Sequence, residues 1–236
     1  MAVKRATERQ GRKVTAQGQA EPGARREPLS RKAWERAALE AMAHGGLAAV
    51  AVEVLAARLG ATKGSFYWHF ANREELIAAA LQRWEQENTE AVIARVEAEP
   101  RAEERLRVLF RIVLGAVRRD LVEVSLLASS RDPLVRPVLE RVAERRITYT
   151  TALFEALGFP RAEARRRSLL GYCAFLGHAQ LAHTMPETLA DPPAGKDRYI
   201  DEVAAILAAP LPGSSPPAPA AKLRSPRARR SSQRKS

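Results

Sequence analysis

The sequence has a single cysteine, Cys173, among 236 residues, which excludes an internal disulfide framework and a multi-cysteine zinc site. No uncharged apolar run reaches the ~18 residues that a membrane span requires. No apolar stretch follows the basic residues of the opening MAVKRATERQ, so no secretory signal is expected and the protein should be cytoplasmic. The four histidines (His44, His69, His178 and His183) form no metal-spacing pair. His178 and His183 are five apart and fall on different faces of a helix. Also missing are a Ser/His/Asp cluster, a phosphate-cradling glycine loop and paired metal carboxylates. No cofactor or metal is therefore expected, and a helical-bundle enzyme is the weakest reading.

What the chain does have is positive charge, 39 Lys and Arg against 27 Asp and Glu, net +12. A basic excess of that size suggests nucleic acid or an anionic surface as partner. Its distribution qualifies the suggestion. Residues 1–28 carry seven basic and three acidic residues, and residues 211–236 carry seven basic and none acidic. The remaining 25 basic and 24 acidic residues leave the segment 29–210 at only +1. Both tails read as disordered: the first is Gly/Gln/Arg-rich, the second Pro/Ser/Arg-rich, and neither has much to bury. They are either solvated extensions or basic arms that add nonspecific phosphate contacts. If the arms dominated, the protein would be an architectural, DNA-coating one.

Between the tails the apolar residues recur at helical spacing and nothing alternates like a strand. Ser30 is a plausible cap for a first helix with Trp34, Ala37, Ala38, Ala41 and Met42 on one face, stopped by Gly45-Gly46. A second runs from about Val52 to Leu59 and ends at Gly60, and a third from about Lys63 to His69, capped by Thr62. Asn72 to Glu75 reads as a capping box that opens a long fourth helix towards Val96. A fifth spans Leu106 to Val117, and a short sixth 121–130. The seventh is expected from Asp132-Pro133 to Leu157, the eighth from Pro160 to about Thr184, and the ninth from Asp197 to Ala209. The expected fold class is all-α, with about nine helices.

The segment Val50–Phe70 carries the chemistry. Two short helices meet at a glycine turn, and the second, about two turns long, is too short to be stable alone. Phe66 and Phe70, four apart, can anchor it, leaving Lys63, Gly64, Ser65, Tyr67 and His69 outside. This suits a helix-turn-helix whose second helix enters the major groove N-terminus first. Lys63 and Ser65 are then candidates for base edges, with Lys63 able to reach guanine O6 and N7. Gly64 admits close backbone approach. Tyr67, His69 and Arg58 are placed for phosphate oxygens, which fix register. Arg73 can add its charge at the start of the fourth helix. Trp68 reads as a packing residue.

The run LAARLGATKGSFYWHFANREELIAAAL resembles the DNA-binding segment of the tetracycline-repressor (TetR) family of bacterial transcriptional regulators. The resemblance covers about Leu29 to Trp84. It implies a helix-turn-helix domain over 29–76, joined by the long fourth helix to a regulatory and dimerisation domain over 77–210. It further implies a homodimer on a palindromic double-stranded DNA operator, usually as a repressor released by a small-molecule ligand, with no membrane role. By motif position Lys63, Gly64 and Ser65 are base-proximal, and Tyr67, His69 and Arg73 contact phosphate. Glu53 lies where members can also touch bases, and a carboxylate there can accept from cytosine N4. The chain departs from the family at Ala51, where Thr or Ser commonly caps the second helix.

Family organisation also implies a ligand cavity among the fourth to eighth helices and dimerisation through the last two. Large or polar groups on otherwise apolar stretches are the pocket candidates: Trp84, Asn88, Phe110, Leu114, Tyr149, Phe154, Tyr172 and His178. Any single one of these reads as core before it reads as ligand-binding. The interface candidates are Leu170, Ala174, Gly177 and Leu181 on the eighth helix and Ile200, Val203 and Leu207 on the ninth. The alternative is that these stripes only seal the monomer core. Cys173, among apolar neighbours, reads as an inert small hydrophobe. Deleting residues 1–28 and 211–236 should leave sequence-specific DNA binding intact with a shallower salt slope in a filter-binding titration. Near-complete loss of binding would instead identify a coating protein.

Overall fold

In a computed structural model, residues 30–117, 121–189 and 193–209 are described; the expectations for the two tails lie outside them. Among the described residues there is no strand, and the helices number nine if 73–97 is taken as one. They are α1 (Arg31–Gly45), α2 (Val52–Leu59), α3 (Lys63–Tyr67) and α4 (residues 73–97). After these come α5 (Ala102–Ala116), α6 (Leu121–Ala128), α7 (Arg136–Ala156), α8 (Arg161–Thr184) and α9 (Pro193–Ala208). No helix among the described residues is long and apolar enough to cross a membrane.

The first core is built around α3, which at five residues cannot hold itself. Phe66 is fully buried, edge-on to Trp34 at 5.4 Å and stacked on Phe70 at 5.6 Å. Arg31 closes the far side: its guanidinium lies 4.3 Å from the Phe70 ring centre, and Nη1 donates to the His69 carbonyl at 2.6 Å. The turn before α3 needs Gly60, whose φ of 63° lies in the left-handed region, and the Ala61 N–H then reaches the Ala56 carbonyl at 2.8 Å. Thr62 caps α3 by accepting from the Ser65 N–H at 3.2 Å. The helix ends at Tyr67, before His69, because the His69 and Phe70 amides both turn back onto the Phe66 carbonyl.

At the start of α4, Asn72 Oδ1 accepts from the Glu75 N–H at 2.8 Å, and Glu75 reaches back to the Ala71 N–H at 2.8 Å. Ser30 and Ala51, by contrast, precede their helices with no side-chain cap bond.

Helix α4 is not uniform. Arg73–Glu85 and Ala91–Glu97 are α-helical, and Gln86–Glu90 between them forms a π turn that periodicity did not anticipate. Leu76, Ile77, Ala80, Leu81 and Trp84 point from its first half into the core of α1–α3. That core continues past residue 76 into Leu126 of α6, Val135 just before α7 and Val142 of α7. Helix α6 also docks on the end of α1, where Ser125 Oγ donates to the Met42 carbonyl at 2.6 Å.

Helix α7 starts at Arg136, four residues later than expected. Asp132 instead heads a turn in which its side chain accepts from the Leu134 N–H at 2.8 Å and its carbonyl accepts from the Arg136 N–H at 2.9 Å. A second core collects Val96, Leu106, Phe110, Leu114, Leu153, Phe154, Ile200 and Leu207. Helix α9 covers this core and is tied to α5 by Arg107, whose Nε and Nη2 each sit 2.7 Å from an oxygen of Asp201.

This arrangement corrects part of the expected dimer surface. Ile200 and Leu207 are buried in the second core, and Val203 packs against it, so these three seal the subunit. Buried Arg167 reinforces the seal by donating from Nη1 to the Leu207 carbonyl at 2.5 Å. On α8, Leu170 (60% exposed), Ala174 and Gly177 do face outward, with Leu169 and Cys173, while Leu181 is half-buried. Because Ala51 already has the extended backbone of an N-cap (φ −107°, ψ 126°), Ala51→Ser should add the missing cap bond. Urea unfolding should then show a gain of about 1 kcal/mol; an unchanged midpoint would mean that the first amides of α2 are satisfied otherwise.

Candidate functional site

The outer surface of α2 and α3 gathers the residues expected to read DNA. Glu53, Arg58, Lys63, Gly64 and Tyr67 are exposed, and Ser65, His69 and Arg73 are half-buried. A methyl group on Gly64 would meet nothing nearer than Thr62 Oγ1 at 3.7 Å, so the subunit's own packing does not require glycine there. Lys63 Nζ donates to Glu53 Oε1 at 2.5 Å, joining two of the expected base-proximal groups in one ion pair. The hydrogen bond from Lys63 holds the Glu53 carboxyl below its ordinary pKa, and Glu53 reciprocally raises that of Lys63. Arg58 pairs with Glu40 at 3.2 Å.

Two expectations change on this surface. Arg73 is committed inward: its Nε donates to the Val50 carbonyl at 2.6 Å and its Nη2 to the Leu47 carbonyl. Its guanidinium thus fastens the turn before α2 to the start of α4, which removes most of its capacity for a phosphate. Trp68, expected to pack, is 88% exposed. It follows the last residue of α3, where the turn back to Phe66 swings its ring away from the core.

Behind this surface a cavity of about 100 Å³ opens among α4, α5, α6, α7 and α8. Of the expected pocket residues, Asn88, Phe110, Tyr149 and Tyr172 line it. The other four lie elsewhere. Trp84 is fully buried in the first core, and Leu114 and Phe154 belong to the second, where Phe154 meets Phe159 edge-on at 5.9 Å. His178 stacks on Tyr199 at 5.4 Å.

At one side of the cavity is a pair that the sequence reading missed. Glu123, 2% exposed, accepts from Arg146 Nη1 at 2.7 and 2.9 Å. Arg146 Nε donates to Thr89 Oγ1 at 3.0 Å and Nη2 to the Asn88 carbonyl at 3.2 Å. Both partners belong to the π turn of α4, whose widened register leaves a carbonyl for an outside donor. Arg145 and Arg141 extend the grip with bidentate contacts to Glu90 (2.9 and 3.0 Å) and Glu85 (2.8 and 2.5 Å). The one sequence signal for the pair was an acid at 123 inside the otherwise apolar run LVEVSLLA.

Burial, and then the nearby Glu123 charge, push the Tyr172 phenol above its ordinary pKa. Burial and a 2.8 Å hydrogen bond to Glu97 do the same for Tyr149. Both therefore stay neutral donors at physiological pH. Among the described residues no group of three or more His, Cys, Asp or Glu side chains is placed to hold a metal ion.

A glycine-turned helix pair with an exposed second helix, backed by a helical bundle with an interior cavity, is the arrangement of a helix-turn-helix domain, whose second helix can enter a major groove. Residues 36–80 match the family model for bacterial regulatory proteins of the tetR family. No curated protein matches the chain. Among solved structures, a transcriptional regulator from Rhodococcus sp. Rha1 is similar at 22% identity, with a TM-score of 0.63 over 76% of this chain and 96% of that one. NemR of E. coli in its reduced form is similar at 18% identity, TM-score 0.62, over 77% and 99%. AibR in complex with isovaleryl coenzyme A and operator DNA is similar at 18% identity, TM-score 0.55, over 75% and 96%. These likenesses extend the shared fold over the regulatory helices, well beyond the matched segment. Residues 36–80 are thus a tetR-family segment, and the solved structures show that the rest of the chain shares the helical fold of such regulators.

Replacing Arg146 with Met would leave Glu123 charged, buried and without its ion pair to that guanidinium. Chemical denaturation at neutral pH should show a loss of about 3–5 kcal/mol. Adding Glu123→Gln to the same variant should restore a substantial part; no restoration would place the cost in lost packing.

Proposed function

We propose that the protein is a homodimeric repressor that reads a palindromic operator with one recognition helix per subunit and is released by a small molecule bound in the cavity. The observation that carries this reading is the position of Arg146. One guanidinium lines the cavity, pairs with Glu123 and grips the π turn of the helix whose first half packs under the DNA-binding surface. A ligand that favours one arrangement of this wall shifts the equilibrium of α4, and with it the separation of two recognition helices. AibR, whose structure contains both a ligand and operator DNA, supports the pairing of the two activities in one such fold.

On DNA, Lys63 leaves Glu53 for a guanine edge, and the freed carboxylate accepts from a cytosine amino group. Ser65 and the bare backbone of Gly64 sit beside them, while Tyr67, His69 and Arg58 reach phosphates. Exposed Trp68 adds an aromatic surface at the same end. The second copy docks on the outward face of α8, through Leu170, Ala174 and Gly177 with Leu169, helped by Ile206 of α9, which is 71% exposed. With DNA as its target the protein works in the cytoplasm.

Selection from a random DNA pool should enrich an inverted repeat. In gel-shift titrations Lys63→Ala should lose ~1–3 kcal/mol on the enriched site and far less on random DNA. Enrichment of no repeat would overturn the dimeric reading, and equal losses on both DNAs would remove Lys63 from the base-reading set.

A further inference from the structure

The cavity wall restricts the charge of what can enter it. Most of its lining is apolar, with Val92, Ile93, Phe110, Ile112, Val113 and Phe175 supplying most of the bulk. Among the described residues its only ionised side chains are Glu123 and Arg146, and they neutralise each other through two short hydrogen bonds. A carboxylate seeking Arg146 would have to displace Glu123 and break a buried ion pair, at a carboxylate only 2% exposed. An ammonium seeking Glu123 would do the same to Arg146. The remaining polar groups are largely committed. The Tyr149 hydroxyl donates to Glu97, the Thr150 hydroxyl to the Arg146 carbonyl, and Thr89 Oγ1 accepts from Arg146. That leaves the Asn88 carboxamide and the proton of the Tyr172 hydroxyl, whose oxygen already accepts from Arg146, to meet a ligand. At about 100 Å³ the cavity is also well below the 300–1,000 Å³ of pockets that take drug-sized molecules.

We infer that the cavity selects small, uncharged, largely apolar molecules bearing one hydrogen-bonding group, such as an alcohol, ketone or amide built on a single ring or short branched chain. It excludes carboxylates and amines of the same shape. The inference rests on reading the cavity as the effector site and adds the chemical class of the effector.

Three probes of one shape test it on the full-length protein: benzyl alcohol, benzoate and benzylamine, titrated by calorimetry at neutral pH. The alcohol should bind at least about ten-fold more tightly than either ion. In the Glu123→Gln variant the order should change, because Arg146 loses its internal anion: benzoate should bind and raise the melting temperature of the variant while leaving that of the wild type unmoved. Wild-type binding of benzoate or benzylamine as tight as that of the alcohol overturns the inference. So does failure of all three probes to bind the wild type, a result that stands whether or not the variant folds. Calorimetry reads occupancy without DNA, so its failure is distinct from a failure of bound ligand to release the operator.

Discussion

The burial of Phe66 is the contact on which the DNA-binding end depends. Helix α3 has only five residues, and its internal hydrogen bonds cannot offset the cost of ordering it. Its position comes from one ring wedged between Trp34 and Phe70, with Arg31 closing over the outside. Because the anchor is a single aromatic at the middle of the helix, the flanking positions are free to point outward. That is how Lys63, Gly64 and Tyr67 come to share an exposed surface. The arginines on either side serve as fasteners: Arg31 takes the carbonyl beyond α3, and Arg73 takes the carbonyls before α2.

Arginine does the corresponding work in the regulatory half, with a different consequence. Arg141, Arg145 and Arg146 hold α7 against the one stretch of α4 that departs from α-helical register. A π turn exposes backbone groups that an α-helix would pair internally, so its geometry depends on outside partners. Arg146 is such a partner and is also a wall of the cavity. The helix running under the DNA-binding surface is thereby held at its weakest point by a side chain that a ligand would touch. The first core runs on from α1–α3 into α6 and the start of α7, which gives a displacement of these helices a packed path to α3.

Much of this was legible in advance where the signal is local. Gly60 marks a left-handed turn, Thr62 and Asn72 cap the helices they precede, and helical spacing identified Trp34, Met42 and Phe66 as core. Other positions misled because the same residue type suits two environments. Trp84, Leu114 and Phe154 are as suited to a core as to a pocket, and the choice turned on which neighbouring helix lay opposite. Ile200 and Leu207 form an apolar stripe, yet α9 turns it onto α5 and α8 within the subunit. Trp68 looked like core because it is large and apolar, but the end of α3 directs it outward. Arg73 looked like a phosphate ligand, but the Leu47 and Val50 carbonyls before α2 lie within its reach and engage it.

The sequence by itself determined the helical class, the glycine turn, the caps of α3 and α4 and the segment that carries the candidate DNA-reading residues, since each rests on residues a few positions apart. It also located the charge excess in residues 1–28 and 211–236 and left residues 29–210 nearly neutral. The tertiary structure decided the π turn, the Lys63–Glu53 pair, the choice between pocket and core, and the Glu123–Arg146 bridge. Those features join residues as many as 58 positions apart, as with Arg146 and the Asn88 carbonyl. Which carboxylate meets which guanidinium across such distances is fixed only when the helices pack, because periodicity records the face a residue occupies and not the helix it faces.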